Sequence, residues 1–199
     1  MASGDTNVTI VNQALVLLGS DTISSFSDTT NDAATVANNI YETIKGKTLS
    51  LYPWSFALVK EQLARSTATP VNEWTYLYPL PSTAVSGTAL QVYNSSSTRV
   101  LPIQNYELLY TSSGPAIATN EDNIYIDYVS SVVSEGLMPK YFVQLLVYML
   151  AWHLAEPVTD QITKAEYWRG VALGSLTENG RGGYFRQACN IDGRGKPNY

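Results

Sequence analysis

Nucleophilic catalysis of the serine–histidine–aspartate kind needs a histidine, and this chain has one, His153. It follows Trp152 and stands between Leu150 and Leu154 in an apolar stretch of helical period, so it reads as a structural side chain. Cys189 is the single thiol, and with His153 it makes the one conceivable cysteine–histidine pair. It lies in a glycine-rich terminal stretch expected to be extended, where a dry, positioned site is hard to build. One cysteine excludes an intrachain disulfide and a cysteine-rich zinc site, and one histidine excludes a multi-histidine metal site.

Paired carboxylates are the remaining route to hydrolysis, as in glycosidases. Glu107 and Asp127 fall in strand-like stretches, and Glu121 and Asp122 stand together in a turn between asparagines. Adjacent acids in a turn read first as a solvated loop. Gly180, Gly182 and Gly183 are not followed by the Lys-Ser/Thr of a phosphate loop, and neither are Gly193 and Gly195. No metal-ligand spacing and no dinucleotide fingerprint is present. No catalytic residue, cofactor or metal is therefore expected, and the chain reads as a non-enzyme.

The composition points instead to contact with other proteins. Hydrophobic residues make up 45% of the 199, enough for a core, while charged residues are only 15%, against about 25% on average. Fourteen tyrosines supply large amphipathic faces of the kind enriched at protein interfaces. The net charge of −5 argues against sequence-specific DNA binding, which needs lysine and arginine on phosphates. The charge is uneven: residues 180–199 hold Arg181, Arg186, Arg194 and Lys196 against Asp192, which leaves the first 179 residues at −8. No apolar run reaches the roughly 18–20 residues of a membrane span, so stable membrane insertion is not expected. The opening Met1-Ala2-Ser3-Gly4-Asp5 lacks the basic and apolar regions of a signal peptide, which suggests folding in a reducing cytosol.

Stepping along the chain, Ile10, Ala14, Leu17 and Leu18 share a helical face over residues 7–18, with Gly19 placed as a C-cap. A second helix is expected to start after Ser27-Asp28 and to stop at Tyr52, ahead of Pro53. Trp54 to Leu58 reads as the start of a short helical piece reaching towards Arg65, or as aromatics tucked under the bundle. Strands are expected around Trp74–Leu80, Leu90–Tyr93, Tyr106–Tyr110 and Asn123–Val129, separated by Ser-, Gly- and Asn-rich turns. A third helix begins at Pro139 and is interrupted by Pro157, and Thr159-Asp160 caps a fourth. The expected fold is α+β: a four-helix bundle with an inserted small antiparallel β unit and an extended C-terminal arm. Its segments are residues 1–69 and 136–178 for the two halves of the bundle, 70–135 for the insert and 179–199 for the basic arm.

Five stretches in this order carry a family resemblance: Val11-Asn12-Gln13-Ala14 running to Gly19; Tyr52-Pro53-Trp54-Ser55-Phe56-Ala57; Trp74-Thr75-Tyr76-Leu77-Tyr78-Pro79-Leu80-Pro81; Ile124-Tyr125-Ile126-Asp127-Tyr128-Val129; and the apolar helix from Phe142 to Ala155. Over residues 7–177 the chain resembles tail tubular protein A, the head-to-tail adaptor of short-tailed bacteriophages. The resemblance implies a virion protein at the head-to-tail interface, made in the host bacterial cytoplasm. It implies a ring of about twelve copies between the portal protein and a tail nozzle protein of the tail tubular protein B type, with double-stranded DNA passing transiently through. Portal docking is then expected from the arm, through Arg181, Tyr184, Phe185, Arg186, Ile191 and Arg194. Tyr76, Tyr78, Tyr125 and Tyr128 are candidates for nozzle contact, although half of them must face the β unit's own core. Two other readings stay open: a phage-tail glycan hydrolase using carboxylates of the insert, and a carbohydrate-binding module whose tyrosines stack on sugars.

Overall fold

In the computed structural model the described residues are 4–28, 30–68, 70, 73–85, 87–97 and 100–193. They divide into a helical unit, residues 1–56 with 133–199, and a β unit, residues 57–132.

The helical unit is built around one helix. Helix α1 spans Asn7–Leu18 and α2 spans Asp32–Ser50; α3 spans Lys140–Thr159, α4 Ile162–Leu173 and α5 Gly183–Gly193. Thr6 caps α1 reciprocally with Thr9, and Gly19 closes it in the left-handed region at φ 71°. Helix α2 starts at Asn31, whose side chain accepts the Ala33 N–H, and not at Ser27-Asp28. Asp28 instead folds a turn by accepting from the Thr30 N–H and hydroxyl. Helix α3 buries Phe142, Val143, Leu145, Leu146, Val147, Met149, Leu150 and Ala151 on every side, as a central helix must. It packs against α1, α2, α4 and α5.

This arrangement corrects two expectations. The unit is not a four-helix bundle of equal members but a central α3 with four helices around it. The C-terminal segment, expected as an extended arm, contains α5, with Phe185, Ala188 and Asp192 buried. Glycines here serve close packing. A Cβ on Gly183 would stand 2.6 Å from the Gly174 N and 2.7 Å from the Val171 O, and one on Gly182 would overlap the Glu178 side chain. Pro157 does not interrupt α3, because it falls in the last turn; Asp160 ends the helix in the left-handed region at φ 53°. Asp160 is therefore the C-cap of α3, and α4 begins at Gln161 without a side-chain cap.

In the β unit, the strand β1 (Leu58–Gln62) stands where one of the two expectations put a helical piece, after a single 3-10 turn at Ser55–Ala57. It is followed by β2 (Tyr76–Pro79), β3 (Gln91–Tyr93), β4 (Tyr106–Thr111), β5 (Gly114–Thr119) and β6 (Tyr125–Val129). The strands form two antiparallel sheets of three, ordered β1-β6-β3 and β2-β5-β4. Leu63, Tyr78, Val92, Ile117, Ile126 and Tyr128 join in one core. Leu77, Ala116 and Ala118 form a second, smaller cluster with Trp74 and Leu109 against it. Strand β5 escapes a composition-based reading because Gly114-Pro115-Ala116 looks like a turn, yet it is the central strand of its sheet, paired on both edges.

Candidate functional site

Trp54 anchors the C-terminal part of the helical unit. It is fully buried, donates its indole N–H to the Thr48 carbonyl at 3.1 Å, and meets Phe142 and Phe185 edge-on at 5.2 and 6.2 Å. Beside it the buried Asp192 carboxylate accepts from the Ser55 hydroxyl at 2.6 Å, the Ser55 N–H at 3.2 Å and the Tyr141 hydroxyl at 2.6 Å. Burial first, then the hydrogen bond to Asp192, pushes the Tyr141 hydroxyl well above its ordinary range. Helix α5 is thus held to the rest of its unit by an aromatic face and one carboxylate.

That geometry divides the residues expected to dock on a portal. Phe185 is a core side chain, and Tyr184 is half-buried, packing edge-on against Tyr148 at 5.3 Å. Arg181 and Arg186 are exposed, as is Ile191 to 37%. Arg194 lies outside the described residues. Of the four tyrosines considered for nozzle contact, Tyr78 and Tyr128 are buried in the β core, and Tyr76 and Tyr125 are half-buried. Arg65 stacks on Tyr76 with its guanidinium 3.8 Å from the ring centroid and pairs with Asp122.

The carboxylates considered for hydrolysis are each engaged with a different neighbour. Glu107 accepts from the Trp74 indole at 2.9 Å, Glu121 from the Asn94 amide at 3.2 Å, and Asp127 pairs with Lys60. Glu107 and Asp127 stand on different sheets. Cys189 is half-buried on α5 and His153 is on α3. Among the described residues no group of three or more His, Cys, Asp or Glu could hold a metal ion, and no helix is long and apolar enough to cross a membrane.

A cationic and aromatic surface assembled by three helices has no signature in the order of residues. Trp152 on α3 is half-buried, with Lys47 Nζ of α2 at 5.1 Å from its ring centroid and Arg169 Cζ of α4 at 5.9 Å. His153 stacks on Trp152 at 4.2 Å, and its Nε2 is buried without a hydrogen-bond partner among the described residues. Burial, assisted by the Lys47 charge, pulls His153 down to about 4, so it is neutral at pH 7. Nearby on the α3–α4–α5 side, Tyr148 stacks on Trp168 at 5.7 Å and Trp168 meets Tyr167 at 5.1 Å. Spacing alone could have placed Trp152 on α3; which cations reach it depends on helix packing.

A separate apolar groove runs along α1 and α3. It is lined by Thr9, Asn12, Gln13, Val16, Leu17, Gln144 and Val147, with Val16 exposed to 63% and no charged side chain in the lining. In comparisons with known proteins, no family model matches the chain and no curated protein matches it.

Proposed function

We propose that the chain is a structural component of a bacteriophage virion: a head-to-tail adaptor, without enzymatic activity, that assembles as a ring of about twelve copies between portal and tail nozzle and lets DNA pass. The observation that carries this reading is a pair of unlike sticky faces on one compact unit. One is the uncharged α1–α3 groove around Val16 and Leu17; the other is α4, which exposes Ile162 to 60% and Tyr167 to 64%. Rings need such heterologous contacts, in which one surface of a copy meets a different surface of the next. Large exposed apolar side chains in patches signal partners.

The order of motifs from Val11 to Ala155 supports the same reading through its resemblance to tail tubular protein A. The acidic balance of the chain suits a conduit from which phosphates are repelled. Docking to the portal would fall to exposed groups on α5 and just before it, Arg186 and Arg181 among them, with α5 remaining folded. The test is to mix the purified protein with portal rings of a short-tailed phage and to image the product by electron microscopy. A collar of about twelve copies stacked on the portal is the expected result. No association with the portal would overturn the reading.

A further inference from the structure

Helix α2 opens on an acid and carries Glu42, Lys45 and Lys47 in its C-terminal half, where Lys45 is taken up by Glu42 and Glu135. Asp32 stands in its first turn and Lys47 in its last, fifteen residues apart, which at about 1.5 Å per residue is about 22 Å. The acidic end is reinforced by Asp21 and Asp28 in the connection from α1, and residues 4–44 contain no lysine or arginine at all. Asp21 and Asp32 are exposed and join no ion pair among the described residues. At the other end Lys47 and Arg169 converge on Trp152, and neither joins an ion pair among the described residues. Two cations gathered on one indole repel each other and attract an anion. A helix of this length cannot bring its acidic start round to its own Lys47.

We infer that the Lys47–Trp152–Arg169 surface receives the acidic end of a second copy, the segment bearing Asp21, Asp28 and Asp32, so that copies join head to tail. This rests on the ring reading above and names the contact that would close it. Charge complementarity singles out this occupant: the same chain carries an acidic segment without lysine or arginine and a surface whose two cations join no ion pair among the described residues. The arrangement is heterologous, as ring closure requires. The half-buried Trp152 ring provides the desolvated centre at which charged contacts strengthen. His153, neutral and stacked beneath the indole, adds no third positive charge to the surface.

The test exchanges the charges. Variant one is Lys47→Glu with Arg169→Glu; variant two is Asp21→Lys with Asp32→Lys; circular dichroism checks that each is folded. Self-association is read by sedimentation at low salt and by cross-linking, and collar formation is read on portal rings. The wild-type chain is expected to associate in a salt-sensitive manner, because screening acts over about 10 Å at 0.1 M ionic strength. Each variant alone is expected to lose association by about tenfold or more, and an equimolar mixture of the two is expected to recover it, since every contact then again joins opposite signs. Variants that associate and form collars like the wild type would overturn the inference and leave the adaptor reading standing. Salt-sensitive association that the mixture restores, without any portal binding, would uphold the inference and overturn the adaptor reading. No association by the wild type in either assay would overturn both. Binding of a DNA duplex that variant one alone loses, with self-association intact, would make the surface a phosphate site and overturn the inference.

Discussion

In the helical unit one ion pair buries its cation, Lys45, whereas the pairs of the β unit leave Lys60 and Arg65 exposed. Lys45, only 7% exposed, donates to Glu135 at 2.6 Å, and the buried Tyr41 adds a second hydrogen bond at 3.2 Å. Burial, the largest single influence, would raise Glu135, but the Lys45 hydrogen bond and charge, a backbone hydrogen bond and the Tyr41 hydroxyl together outweigh it and hold the carboxyl below its ordinary value. Asp192 gathers Ser55 and Tyr141 in the same manner. In the β unit the Lys60 side chain is 76% exposed beside Asp127 at 17%, and the Arg65 and Asp122 side chains are 42% and 70% exposed. The difference teaches where charge is structural. A buried group stripped of its partner stays buried, while a surface group is simply hydrated.

The comparison breaks most visibly if α5 is removed. Truncation after Glu178 deletes Phe185, Ala188 and Asp192 from the core, and is expected to destabilise the helical unit by on the order of 5 kcal/mol or more. Urea unfolding monitored by fluorescence of the helical unit would show it; a truncated chain with an unchanged midpoint would mean that α5 is dispensable. Next in size, Glu135→Ala leaves the buried Lys45 ammonium to the exposed Glu42 at 3.7 Å and is expected to cost about 3 kcal/mol. Adding Lys45→Met should recover much of that loss, because the stranded charge is then gone. Asp192→Ala leaves the Ser55 and Tyr141 hydroxyls without their acceptor, for a loss of about 2–3 kcal/mol in the same assay.

Acid sharpens the contrast further. His153 in the folded chain binds its proton only near pH 4, whereas the unfolded chain binds it near 6.5, so unfolding takes up a proton in between. Stability of the helical unit is therefore expected to fall as pH drops from about 6.5 towards 4. Glu135, held below its ordinary value, adds a further loss as pH falls through the carboxylate range. Melting curves across this window should flatten in a His153→Gln variant, and an identical acid limb in that variant would contradict the assignment. The smallest effects belong to the β unit: Lys60→Ala or Arg65→Ala is expected to change stability by less than about 1 kcal/mol. A larger loss would show that these surface pairs are structural after all.

Some of this was written in local pattern. Helix α1 is legible from its apolar spacing and Gly19, because capping and amphipathicity are short-range properties. The existence of a β-rich insert follows from alternating aromatic and β-branched residues, although its division into two sheets does not. Strand β5 was hidden by Gly114, Pro115 and its alanines, whose pairing on both edges comes from neighbours distant in sequence. The glycines at 182 and 183 suggested an extended arm, since the same residue type serves free chain and tight packing alike. Their role was decided by the approach of Gly174 and Glu178.

By itself, then, the sequence determined the helical and strand-rich stretches, the shortage of catalytic side chains, and a chain acidic in its body and basic near its end. Tertiary structure decided that α3 is central, that α5 is a core helix, and that Tyr78 and Tyr128 face inward while Tyr76 and Tyr125 remain partly open. It also decided that Lys47, Trp152 and Arg169, from three separate helices, share one surface. Periodicity fixes which face of an element is apolar, but only packing fixes which elements meet, and the candidate site consists of such meetings.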